Sequence, residues 1–363
     1  MRDTSLSFLP FDNVWKMRIE HPYSLIVKEG TLAWSCGQCP LDGEGAVLFP
    51  GDLSAQAEAV IGFIERYLGE MGCAIWSVGQ LLVYYVKTAP GDAARLKELF
   101  CGAFGQSVQV IPVAVPHFYY DGMLIEVDVF ASEEKADFNH IVDEESGLIL
   151  EVSDAGPFHW ATVSFPRATD QELGPLLSRL LARANLTEST LLAQQWFLPV
   201  GCDIPNTGLS ENGSGSARNA VRVSDIDADI VAELTFAKAP ATGHWSGDPD
   251  GLSISLCMAG DHFYLQAFDV SSDRSLVEQT ASIMKAVEAV FKDTDLSFQD
   301  VRKATTYYTA GSSADELHDN MSVRNRYYTN PGPASTGLPV EGLSAPAARV
   351  SINLFGAMPR HGG

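Results

Sequence analysis

Arg218 and Glu233 stand fifteen residues apart in the stretch SARNAVRVSDIDADIVAELTFA (216–237), which reads as a strand, a short turn and a second strand. A hairpin of that length returns both residues to one end of a sheet, where a guanidinium beside a carboxylate could serve a small anionic molecule. The guanidinium is a planar fork of donors that matches a carboxylate bidentately. A carboxylate at a strand end can orient a water and accept its proton. The same two charges also make an ordinary cross-strand ion pair, which stabilises little at a surface.

Cys36-Gly-Gln-Cys39 is the second suggestive spacing. Zinc would require a further pair of ligands at comparable spacing, and none follows. A thioredoxin-type CxxC opens a helix, whereas this one follows an apolar strand and precedes Pro40. The other cysteines are Cys73, Cys101, Cys202 and Cys257, and in so long a chain without a secretion signal all six are expected as thiols. The histidines show no HxxxH-type spacing, so neither a metal nor a cofactor is expected. Glu126 offers a further carboxylate on the alternating strand LIEVDVFA. Arg324 and Arg326 could hold an anion, although ion pairs to neighbouring acids are the simpler reading in so acidic a chain.

The elements around these residues follow from composition and period. The chain has 363 residues and a formal charge of −22, with a sequence pI of about 4.6. That balance argues against nucleic acid, whose binding rests on phosphate neutralisation, and against anionic membranes. A small anionic substrate remains open where a local arginine overrides the field. No window approaches 18 apolar residues, and the first residues lack a basic-then-apolar leader, so a cytoplasmic protein is expected.

Three strands recur at an even spacing of 110 residues, starting at Leu81, Leu191 and Val301. Each follows an amphipathic helical pattern, over 53–72, 171–185 and 275–292. Each copy closes on a related strand, LIEVDVFA, IVAELTFA or RVSINLFGA. The first and third helices both carry an early glutamine, Gln56 and Gln279. The copies divide into modules of 1–135, 143–240 and 241–358, joined by the polar linkers SEEKADFNHIVDEESG and PATGHWSGDPDG. In the second copy, CDIPNTGLSENGSGSARN replaces the helical run DAARLKELFCGAF of the first, making that module degenerate.

Several of these segments resemble the RidA family, also called YjgF or UK114. HPYSLIVKEGTLAWSCGQCPLDGEG is similar to the family's Pro-Tyr start, apolar strand and SGQ-x-P turn. SARNAV…AELTFA is similar to its P-A-R-[ST]-x-V…x-E-I-x-A ending, and the third copy carries DNMSVRNRYYTNPGPASTGLPVEGL. The resemblance implies an α+β chain of three RidA-like (chorismate-mutase-like) modules. Each is a mixed sheet with two helices on one face, and the three are arranged with pseudo-threefold symmetry, as a fused trimer with clefts between modules. It implies a monomer, or at most a weak homo-oligomer.

The resemblance also implies the activity: cofactor-independent hydrolysis of a small carboxylate-bearing enamine or imine to a keto acid and ammonium. The family's carboxylate-binding arginine falls on Arg218 and its water-positioning glutamate on Glu233, with Glu126 as the first module's copy of that glutamate. Ser335 takes the arginine position in the third module, with Thr336 beside it as a substrate contact. Tyr23 matches the family's tyrosine, Cys36 stands at its SGQ serine, and Asn320 matches the asparagine of the second helix. Two other readings stay open: a chorismatase-like or other dedicated enzyme on the same architecture, and a small-ligand binding protein without catalysis.

Overall fold

A computed structural model describes residues 6–359, apart from 12–13, 16–18, 167–172, 210–215, 226–227, 248–250, 272 and 310–313. The first repeat runs β1 (Leu6–Pro10), β2 (Ser24–Glu29), β3 (Leu32–Ser35), α1 (Leu53–Glu70), β4 (Val78–Tyr85), α2 (Asp92–Phe104), β5 (Gln109–Ala114) and β6 (Ile125–Ser132). The second runs β7 (Lys135–Asp143), β8 (Leu148–Ala155), β9 (Phe158–Phe165), α3 (Leu173–Arg183), β10 (Leu191–Pro199), β11 (Ala217–Val223) and β12 (Ile230–Ala237). The third runs β13 (Ala241–Gly247), β14 (Leu252–Ala259), β15 (His262–Asp269), α4 (Leu276–Asp293), β16 (Val301–Tyr308), α5 (Ala314–Asn325), β17 (Ala334–Pro339), β18 (Gly342–Leu343) and β19 (Val350–Ala357).

One strand order recurs in all three: β1-β2-β3-β6-β4-β5, β7-β8-β9-β12-β10-β11 and β13-β14-β15-β19-β16-β17. In each, the strand after the first helix runs parallel to the next strand and antiparallel to the last. β17 pairs with β2 at Ala334 and Ser24, which joins the first and third repeats into one sheet. β18 extends the sheet of the second repeat by pairing with β11.

The helices form where apolar residues recur at helical spacing and a cap begins the run. Asp52 accepts from Ala55 N (3.0 Å) to start α1, and Ser275 with Glu278 forms a capping box on α4. Leu81, Val83 and Tyr85 of β4 pack with Val60, Ile64 and Leu68 of α1. The alternate residues Leu82 and Tyr84 enter a second core with Phe197, Val221, Tyr307 and Leu338, which come from the other two repeats. Both faces of β4, β10 and β16 are therefore buried.

Gln56 and Gln279 do the same work in two repeats. Gln56 Nε2 donates to Phe49 O (3.0 Å) and Gly122 O (2.8 Å), and its Oε1 accepts from Leu124 N (2.7 Å). Gln279 Nε2 donates to Ser271 O (2.8 Å) and Ala347 O (3.0 Å), and its Oε1 accepts from Arg349 N (2.7 Å). Each glutamine ties a helix start to the loop that delivers the last strand. Contacts between repeats form a cycle: β4 and β5 meet β8, β10 and β11 meet β14 and β15, and β16 and β17 meet β3.

Four expectations are corrected. The segment 216–237 is not a hairpin, because β10 lies between β11 and β12 and pairs with both. The acidic linker contains β7 and the second linker contains β13. Both are outer strands: the charges of β7 suit a sheet edge, and β13, ATGHWSG, is uncharged and largely exposed. The repeats are unevenly spaced: Val78, Leu191 and Val301 are equivalent, so the first copy begins three residues earlier than an even 110-residue spacing requires. The second repeat has one helix among the described residues, as the loop that replaces the first copy's helical run implies, and not the two per module implied by the resemblance. Part of that loop, 210–215, lies outside the described residues. No described helix is long and apolar enough to cross a membrane.

Candidate active site between the first and third repeats

Strand register decides which expected site residues can meet. Gln194 of β10 pairs with Arg218 and Leu234, whereas Gln195 pairs with Asn219 and Glu233. Neighbouring residues on a strand point to opposite faces. Arg218 and Glu233 therefore stand on opposite faces of one sheet and form no common site. The Arg218 guanidinium lies 5.8 Å from the centroid of the buried Trp196 ring. Glu233 instead lines an interior cavity with Asp128 and Lys303.

Register also reassigns the glutamate. Tyr84 pairs with Glu126, Phe197 with Val231 and Tyr307 with Ser351. The second repeat thus has Val231, not Glu233, where the first has Glu126, and Glu233 is the counterpart of Asp128. Arg218, Val110 and Ser335 do share one position, next to Gln194, Leu81 and Ala304. At the border of the second and third repeats Ser351 Oγ bonds Asn219 Oδ1 (3.0 Å), so the residue there at the glutamate position is a serine.

Tyr23, Cys36, Glu126 and Ser335 line one cavity of about 120 Å3 between the first and third repeats. Tyr23 precedes β2, Cys36 follows β3, Glu126 lies on β6, and Ser335 faces them from β17. Gly337, two residues on, lines the same cavity. Thr336 points the other way, as alternation requires: its Oγ1 accepts from Lys303 Nζ (2.6 Å) and donates to Asp128. The expected substrate contact at Thr336 is therefore a structural hydroxyl.

A guanidinium reaches this cavity from a different element. Arg324, near the end of α5, is 3 % exposed, and its Nη2 lies 3.8 Å from where a Cβ on Gly337 would sit. Its Nε donates to Asn320 Oδ1 (2.9 Å), and Asn320 Nδ2 donates to Thr280 Oγ1 (3.0 Å). Asn320 is fully buried, holds the arginine through that bond, and is not among the residues lining the cavity. Among the described residues no carboxylate comes within the 4.0 Å of an ion pair to Arg324. That overturns the ion-pair reading of this residue. Its positive charge acts on Tyr23 and Tyr308, although burial is the larger influence and raises both hydroxyls above the ordinary tyrosine range.

The carboxyl of Glu126 lies against the backbone of Gly37, where a Cβ would come within 1.7 Å of Oε1. Burial, then the negative charge of Asp128, push Glu126 up to about 8 against the opposing pull of Lys303. Cys36 and Cys39 both approach Gly37 O, at 3.4 and 3.6 Å, as free thiols. Burial raises both well above the ordinary thiol value, which does not suit a nucleophile. Among the described residues no group of three or more His, Cys, Asp or Glu is placed to hold a metal ion.

The remaining wall is apolar and aromatic. Phe11 and Trp15 come from the segment after β1, Phe118, Tyr119 and Tyr120 from the loop before β6, and Leu317 and Met321 from α5. Phe118, Tyr119 and Tyr120 belong to the aromatic run PHFYYDG and line this cavity together with Arg324. A buried arginine and a buried carboxyl facing one small, largely apolar cavity can hold a carboxylate and present a water to the atom next to it.

Residues 16–133 match the family model described as Endoribonuclease L-PSP. A RutC family protein of Pyrococcus abyssi is 32% identical over 114 residues, 31% of this chain and 87% of that protein. A RutC family protein of Pyrococcus horikoshii is 29% identical over 114 residues, 31% of this chain and 88% of its own length. Among solved structures, a YjgF/YER057c/UK114 family member from Mycobacterium tuberculosis shares 22% identity, with 35% of this chain and 99% of that chain covered and a TM-score of 0.28. The Rid family protein YyfA of Yersinia pestis shares 18% identity over 35% of this chain and 99% of that chain, with a TM-score of 0.31.

Proposed function

This chain belongs to the RidA/YjgF/UK114 family, and on that premise we propose that it hydrolyses a small carboxylate-bearing enamine or imine, such as 2-aminoacrylate, between its first and third repeats. Arg324 holds the substrate carboxylate as a bidentate fork. Glu126, as carboxylate, orients a water and takes its proton while the water oxygen bonds to the imine carbon. An enamine reaches this stage by taking a proton from solvent at its terminal carbon. After water adds, the proton held by Glu126 passes to the nitrogen. The hydroxyl gives up its own proton as the carbon–nitrogen bond breaks, the departing ammonia takes that proton up, and keto acid and ammonium leave. The observation that carries this reading is that Arg324 and Glu126 line one cavity without an ion pair between them.

In this reading the chain is a fused trimer: three modules about a pseudo-threefold axis, the second starting at Lys135 and the third at Ala241. The repeated strand order and the cycle of contacts support it. A chain that supplies its own neighbours needs no partner to complete the cleft, so it acts as a monomer. The modules have diverged so that Val110 meets a neighbour with Val231, Arg218 one with Ser351, and only Ser335 one with Glu126. We assign catalysis to that last cleft.

The matched family model is described as an endoribonuclease, but a formal charge of −22 opposes a polyanion, and one buried guanidinium suits one anionic group. The direct test is ammonium release from 2-aminoacrylate generated in situ, with and without the protein. Faster release supports hydrolysis. An unchanged rate, with keto acids still raising the melting temperature, would instead make this a binding protein.

A further inference from the structure

The three repeats enclose a second cavity, of about 50 Å3, that the proposed reaction does not use. Its walls are built from equivalent positions. Trp34, Trp160 and Tyr264 form one ring, pairing respectively with Phe130, Thr235 and Phe355, which form the next. Asp128, Glu233 and Asn353 form a third ring, opposite Leu82, Gln195 and Thr305. The cavity therefore lies where all three sheets converge, with a polar ring at its waist.

That ring has acceptors to spare and a charge imbalance. Lys303 Nζ binds Asp128 Oδ1 (2.8 Å) and donates to Ser35 O (2.8 Å) and Thr336 Oγ1. Asp128 Oδ2 is buried without a hydrogen-bond partner. Asn353 Nδ2 donates to Gln195 Oε1 (2.9 Å), and its Oδ1 is buried without a partner. Among the described residues no donor is within reach of the Glu233 carboxyl. Asp128 is 1 % and Asn353 5 % exposed, so bulk water does not satisfy them. With Glu233 ionised, two carboxylates against one ammonium leave one negative charge uncompensated.

We propose that this cavity binds one small monovalent cation, held by the Glu233 carboxylate, Asp128 Oδ2 and Asn353 Oδ1. A divalent ion would overshoot the charge and meet Lys303, whereas a single positive charge balances the ring. Burial and Asp128 push Glu233 up to about 8, a cost that a bound cation offsets. A wider concavity lies on the same strands, beyond the aromatic ring. Leu32, Phe158 and His262 stand two residues before the aromatic ring on the same strands and line a funnel whose rim carries Glu29, Glu134 and Asp261. Glu29 is paired with Arg302 (2.9 Å), which leaves Glu134 and Asp261 facing Lys238 there. Acidic rims of this kind concentrate cations.

The test uses the full chain at a pH above the Glu233 titration. Thermal unfolding is followed in sodium, potassium, rubidium, ammonium and choline chlorides at equal ionic strength, alongside anomalous scattering from crystals grown in rubidium chloride. The expected result is a saturable rise in melting temperature with at least one small cation but not with choline, and a rubidium peak in the cavity. Glu233→Gln should raise the half-saturating concentration at least roughly tenfold. Asn353→Ser supplies the same comparison if that variant does not fold. Identical curves in small cations and choline, a saturable shift that both variants leave unchanged, or crystals with only water in the ring would each overturn the proposal.

Discussion

Glu126 and Gly37 compete for one space: a Cβ built on Gly37 would lie 1.7 Å from Glu126 Oε1 and 2.4 Å from its carboxyl carbon. The bare backbone at Gly37 lets the carboxyl lie flat against the turn and face the cavity. Gly37→Ala should therefore displace the carboxyl and lower kcat/KM for an imine by roughly 10²-fold, the order of effect that follows loss of a key positioned group. Adding Glu126→Ser should restore thermal stability without restoring activity. Full activity in Gly37→Ala would show that the carboxyl does not act from this position.

The acidity of Glu126 sets a pH profile. As the base for water it must be ionised, so activity should rise with pH around an apparent value near 8, given the upward push from burial and Asp128. Stability should move the other way. The folded value lies above the ordinary one of 4.5, so the folded state holds the proton through the window from about 4.5 to 8, and stability falls as pH rises across it. Glu233, also pushed up to about 8, contributes to the same fall. Glu126→Gln should abolish the activity rise and flatten only part of the stability loss, measured by rate profiles and urea melts across that window.

Gln56 makes three backbone hydrogen bonds from a fully buried side chain. Gln56→Ala should cost about 2–3 kcal/mol, since it strands two carbonyls and one N–H in the interior. Gln279→Ala should cost about as much, because its three bonds correspond one to one. Urea unfolding midpoints of the two variants test this, and a loss confined to one repeat would deny the equivalence.

Much of this architecture is legible in the sequence, for physical reasons that also explain the failures. α1 and α4 announce themselves because their apolar stripes must face a sheet, and β6, β12 and β19 because their alternation is regular. β7 is hidden because an edge strand rich in charges reads as a linker, and β13 because its glycines and the flanking DPDG read as a turn. The insertion of β10 between β11 and β12 is hidden because a parallel pairing leaves no turn between its partners. Chain proximity then suggested a hairpin and put Arg218 beside Glu233.

The site was legible in part. Tyr23, Cys36, Glu126 and Ser335 converge because they sit at repeat positions that share one cleft. The sequence offers Arg324 as a possible anion-binding charge, but the anchoring role proposed for it is hidden, since it lies on α5 and the resemblance points to a strand arginine. Only the contact of Gly337 with Arg324 across β17 and α5 reveals the exchange. The match of Glu233 to Glu126 rests on the resemblance, and strand register moves it by two residues, to Val231.

The central claim is that Arg324, not Arg218, holds the substrate carboxylate. The measurement that tests it most directly is ammonium release from 2-aminoacrylate by Arg324→Ala and Arg218→Ala side by side, each shown to be folded. Arg324→Ala should lose roughly 10²-fold in kcat/KM, as expected for removal of a charge-assisted anchor in a buried site. Arg218→Ala should stay within a few-fold of the unaltered chain. Activity that survives in Arg324→Ala and collapses in Arg218→Ala would contradict the account and return the site to the border of the second and third repeats.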